Sequence, residues 1–162
     1  MPISAKAMEL ENQSIGANGA PTLAAAYELL REQWESGERD RELALHLSFL
    51  AWYLIIEPSH LTGLDESRTS SESLVAVFNT VHDWLLPTGA ATNDAEALYV
   101  VGLPASMFPW LLGDHDLWTA RSEAYRIRYR QLAPDGIDPA VFDSRGAYGD
   151  YFESQASVVG GY

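Results

Sequence analysis

Between Leu43 and Ile56 the chain is apolar at every position except His46, Ser48 and Tyr53. Pro58 disfavours helical backbone at Glu57 and so closes the segment, while Asp40 offers a start. A helix that is apolar nearly all round has to be covered on several faces, which makes it the natural centre of a helical bundle. One polar stripe survives on it, formed by Glu42, His46, Tyr53 and Glu57. At 100° per residue these four fall within an arc of roughly 60°. The stripe reads either as a solvated edge or as one wall of a site.

The neighbouring segments repeat the helical signal. Leu23, Ala26, Tyr27, Leu30 and Trp34 recur at helical spacing between Pro21 and Ser36, with Gly37 placed to end the turn. Thr69-Ser70-Ser71-Glu72 has the pattern of a capping box, and the helix it opens buries Leu74, Val77, Phe78, Val81, Trp84 and Leu85 before Pro87. Asn93 and Glu96 mark another start. The segment after them reads as helix because no partner strand is available for Tyr99-Val100-Val101, and Pro104 is expected to kink or break it. A further helix runs from about Asp116 to Leu132, with aspartates at its positive end and Arg126, Arg128 and Arg130 at its negative end. Asp138-Pro139 opens a short helix, and Tyr148, Tyr151 and Phe152 read as a docking segment. No internal repeat of fixed period is present.

The pattern predicts an all-α protein. Its expected architecture is a compact bundle of about five main helices, paired as hairpins around residues 43–56, with a short C-terminal helix. Residues 1–20 read as a flexible or loosely docked leader, 21–158 as one helical domain, and 159–162 as a frayed terminus. At 162 residues, 47% of them hydrophobic, such a domain needs no disulfide or metal to fold. There is no cysteine, so disulfides and thiolate chemistry are excluded.

Charge narrows the functional classes. Lysine and arginine number 10 against 23 aspartates and glutamates, a formal net charge of −13. Such a chain is poorly suited to nucleic acid or to an anionic membrane and favours a basic partner or plain solubility. The longest apolar stretch is about half a membrane span, and the first 20 residues lack the apolar run of a signal peptide. A cytoplasmic, unanchored protein is the expectation.

Candidate chemistry is sparse. Asp114-His115-Asp116 can bind a cation or tune the imidazole, but aspartates at that place also cap helices. His82 shares a helix face with Asn79, three residues earlier, rather than with the adjacent Asp83. Glu42 and His46 can share a ligand only if another helix contributes. Arg121, Arg126, Arg128 and Arg130, interleaved with Tyr125 and Tyr129, suit a carboxylate or phosphate, though dipole pairing accounts for most of them. No phosphate loop, nucleophile elbow, zinc-protease or EF-hand signature occurs.

The ligand-binding candidates are therefore His46, Tyr53, Glu57, Asp114, His115 and Asp116, with no metal or cofactor expected. Trp110, Trp118, Tyr148 and Tyr151 are the candidates for an interface, since aromatic residues dominate protein contacts. The leading expectation is an acidic module that binds another protein, such as an inhibitor or immunity-type protein for a basic target. An enzyme or a ligand- or metal-binding bundle, which requires histidines converging on one pocket, is the alternative. A structural homo-oligomer is the third reading.

Overall fold

The computed structural model describes residues 3–13, 15–158 and 162. Among them the chain is all-helical, with eight α-helices and no strand, only an isolated bridge between Ile15 and Pro21. The helices are α1 (Ala5–Gln13), α2 (Leu23–Glu35), α3 (Arg41–Ile56), α4 (Ser59–Thr62), α5 (Ser71–Leu85), α6 (Ala95–Met107), α7 (His115–Leu132) and α8 (Gly146–Ala156). Short 3-10 turns at Gly89–Ala91, Pro109–Leu111 and Pro139–Phe142 join the later ones. No helix among the described residues is long and apolar enough to cross a membrane.

Local chemistry accounts for the helix starts. Asp40 accepts from the amides of Glu42 and Leu43, Ser70 from Ser73, Asp94 from Ala97 and Asp114 from Leu117. Each side chain satisfies amides that the first turn leaves without an intrahelical partner. Two of these differ from the sequence reading. Ser70 caps α5 without the expected reciprocal glutamate, and the cap of α6 is Asp94 rather than Asn93, whose side chain instead accepts from Arg128 at 2.6 Å. Helix α6 also runs on through Pro104 to Met107. The expected break is absent. Pro104 removes one amide only a turn from the helix end, where few hydrogen bonds remain to be lost.

From Leu43 to Trp52 every residue of α3 is buried, and α3 packs against α2, α5, α6 and α8. Phe49 and Trp52 meet Tyr151 of α8, and Phe49 also meets Phe152. The paired helices α6 and α7 lie against each other, with Tyr99 and Tyr129 rings 5.3 Å apart.

The chain ends require correction. Residues 5–13 form α1, which packs on α2 and α8, so the described part of the leader is ordered. Ile3, Ala7 and Glu11 are buried, and Thr22 donates to the Leu10 carbonyl at 2.7 Å. At the other end, Tyr162 is buried and its hydroxyl donates to the Ser122 carbonyl at 2.6 Å, so it is not frayed. Gly102 makes room for that ring, since a β-carbon there would lie 2.0 Å from the Tyr162 hydroxyl. The remainder of the expected frayed end, 159–161, lies outside the described residues.

Candidate functional site

The polar stripe of α3 turns inward at its N-terminal half. His46 is fully buried, with Nδ1 2.8 Å from Glu11 Oε2 and Nε2 3.0 Å from Glu42 Oε1. Both carboxylates are acceptors when ionised, so both ring nitrogens have to donate and His46 is an imidazolium. Burial by itself disfavours that charge, but the hydrogen bonds His46 donates to Glu11 and Glu42 outweigh it and hold the pKa above the ordinary histidine value.

The cluster extends across four helices. Arg145 clasps Glu42 through two bonds, of 2.7 and 2.5 Å, and reaches Glu96 Oε1 at 2.5 Å. Arg41 pairs with both oxygens of Asp94 and with Glu96. Tyr148 donates its hydroxyl to Glu96 at 2.6 Å and its backbone amide to Glu11 at 3.3 Å, while its ring stacks on His46 at 4.5 Å. Burial works against the Glu42 carboxylate, but His46 and Arg145 overcome it and pull its pKa down to about 2. Burial and the Glu96 carboxylate push the Tyr148 hydroxyl well above its usual range, so it remains a donor. Each charge in the cluster has an opposite partner, as buried charges require.

Gly146 makes this closure possible. It adopts a φ of +66°, and a β-carbon there would sit 2.9 Å from Glu11 Cβ. Gly146→Ala therefore combines a left-handed backbone with displacement of Glu11. It is expected to cost about 1–3 kcal/mol, read as a lower urea midpoint with an unchanged slope. A midpoint equal to that of the parent protein would contradict the close approach of α1 to the start of α8.

The other candidate residues lie elsewhere. Tyr53 and Glu57 are half-buried, and the Tyr53 ring packs against Phe49 and Tyr151. The stripe is thus not a solvated edge along its length, since Glu42 and His46 turn into the ion cluster. Asp114, His115 and Asp116 are exposed; Asp114 caps α7, and His115 bonds its neighbour Asp116 at 3.2 Å. Asn79 does not join His82, because its amide bridges the Val75 and Leu112 carbonyls. His82 is buried on α5, bonded to Asp83 and to the Tyr125 hydroxyl. No group of three or more histidine or carboxylate side chains among the described residues is arranged to hold a metal.

Two interface candidates are corrected outright. Trp118 and Tyr148 are buried, the first against Phe78 and His82 and the second in the ion cluster. Tyr151 is half-buried in the aromatic packing of α3 and α8, whereas Trp110 is 58% exposed. Their residue type suits a protein contact, but it does not say whether that contact is with a partner or with the protein's own core.

Two surface depressions are large enough to matter. The first, of about 1040 Å³, lies between α2, α5 and the loop before α5, with Leu10 and Lys6 of α1 at one side. The second, of about 480 Å³, lies between the C-terminal end of α5, the turn after it and α7. Neither contains more than one histidine. No protein-family model, curated protein or solved structure gives a significant match to this chain.

Proposed function

We propose that the chain is an acidic helical interaction domain, a bundle organised round α3, that binds a partner protein in the groove between α2 and α5. The supporting observation is the form of that groove. Thr69, just before α5, bonds Glu28 of α2 at 3.2 Å, and Trp34 and Trp84, near the far ends of the two helices, meet edge to face at 5.6 Å. These contacts tie the start of α5 to the middle of α2 and bring the last turns of the two helices together, and the depression lies between them. Ala24, Ala25, Leu29, Leu64, Ala76 and Val77 give it an apolar lining.

The rim carries Glu28, Glu32, Glu35 and Asp65 against Lys6, Arg31 and Arg68. Arg31 is held by Glu28 and Glu35, and Lys6 by Glu9, which lies outside the lining. An apolar trough with satisfied ion pairs at its edge suits an amphipathic helix, and the net charge of −13 favours one from a basic partner. An inhibitor or immunity-type role is the form of this reading that uses both features. Histidines that do not converge on one cleft weigh against the enzyme reading.

The test uses the full chain as bait in an extract of its own cells, at low and high salt, beside the variant Ala25→Arg/Ala76→Arg. Both alanines are exposed, so the new side chains fill the trough without entering the core. The expected result is a basic protein captured at low salt, released by high salt and not captured by the variant. Recovery of no partner under either condition, or undiminished capture by the variant, overturns the proposal.

A further inference from the structure

Arg121 stands apart from the cationic side chains already described. Arg31, Arg41, Arg126 and Arg145 each sit against a carboxylate. Arg121 makes no hydrogen bond or ion pair among the described residues, although the chain carries 23 acidic residues. Its guanidinium lies 4.7 Å from the centre of the Trp118 ring, and its side chain is half-buried in the wall of the 480 Å³ cleft. An arginine fixed by stacking, yet with its donors free, is set to receive a planar anion.

The polar groups beside it are already hydrogen-bonded to one another. The Asp83 carboxylate can only accept, so His82 Nδ1–H donates to it at 2.9 Å; His82 Nε2 then accepts the Tyr125 hydroxyl at 2.7 Å. Burial disfavours the imidazolium, and the nearby Arg121 opposes it further, which lowers the His82 pKa and leaves the ring neutral. These groups have no donor to spare, and Arg121 is the remaining anchor. Leu86, Pro87, Ala90, Leu117, Ala120 and Ala124 supply apolar walls, the three alanines leaving space where larger side chains would fill it.

We propose that this cleft binds a small monocarboxylate with an apolar body, its carboxylate forked on Arg121 and its body against the alanine-lined wall. Charge supports a monoanion over a phosphate. Among the described residues that line this cleft Arg121 is the one guanidinium, and the 71% exposed Asp83 side chain there repels a second negative charge. The volume lies within the range of small-molecule sites.

Benzoate is a suitable probe, with benzamide as its neutral counterpart, and the readout is the NMR signals of the Trp118 indole and the His82 ring. The expected result is saturable benzoate binding with Kd on the order of 1 mM. Binding should weaken about tenfold or more for benzamide and for Arg121→Gln, with Arg121→Lys between them. Ala124→Phe, which fills the cleft but keeps the guanidinium, is expected to abolish it and serves if Arg121→Gln fails to fold. Benzoate binding that is undiminished in Arg121→Gln or that persists in Ala124→Phe, or no saturable shift in the parent protein, overturns the assignment. Neither outcome bears on capture of a protein by the α2–α5 groove.

Discussion

Replacing His46 by leucine is expected to lower the unfolding free energy by about 3–5 kcal/mol, because it leaves the Glu11 carboxylate buried without a counter-charge. Glu11 and His46 side chains are both fully shielded from solvent, so water cannot compensate. Glu42 suffers less, since Arg145 still holds it. The informative comparison is His46→Leu/Glu11→Leu. Removing both charges eliminates the stranded carboxylate, and such replacements are often neutral or stabilising. Here the recovery should be incomplete by about 1–3 kcal/mol, because the Tyr148 amide loses its acceptor. Urea denaturation of the two singles and the double decides the matter. A double variant that loses the sum of the two single losses would mean that the pair is not coupled.

Stability is also expected to fall on both sides of a plateau from about pH 4.5 to 6.5, the window set by the unfolded pKa values of glutamate and histidine. On the acid side, Glu42 titrates near its ordinary value when unfolded but at about 2 when folded. The unfolded chain therefore binds more protons, and the contribution of Glu42 is lost as pH falls toward 2. Because Glu42 is a third exposed, that loss is expected to be about 2 kcal/mol rather than the full value of its shift. On the alkaline side the sign reverses. The raised pKa of His46 gives stability that is complete below about 6.5 and is lost as pH climbs through the folded value. Denaturation midpoints across this range should show both slopes in the parent protein. In His46→Leu/Glu11→Leu the slope due to His46 should be absent, whereas the acid slope should remain in part because Arg145 still pairs with Glu42.

The main helices were legible because their apolar residues recur at helical spacing and their starts carry oxygen-bearing caps, as at Asp40 and Ser70. Helix α1 was not. Ala7 and Glu11 are among its buried residues, and a buried glutamate breaks the apolar pattern by which a docked helix is recognised. The stripe on α3 was visible as a stripe, but its environment was not. Glu11 lies 35 positions before His46, and Arg145 lies 103 positions after Glu42. Nothing local to α3 signals that either will arrive. Trp118 and Tyr148 show the same limit from the apolar side, since an aromatic residue serves a core as readily as an interface. The Arg121 cleft was half visible: its arginine belonged to the one basic concentration in the sequence, but only the fold separates it from Arg126, Arg128 and Arg130, each of which is bonded within the chain.

The N-terminal half of the polar stripe of α3 closes into an internal ion cluster around a doubly protonated His46. Nitrogen-15 NMR of the ring tests it most directly. Both Nδ1 and Nε2 should still carry a proton at the ordinary histidine pKa of about 6.5, and the ring should lose one only above it. A His46 ring that titrates below about 6.5, with one nitrogen already bare there, would contradict the account.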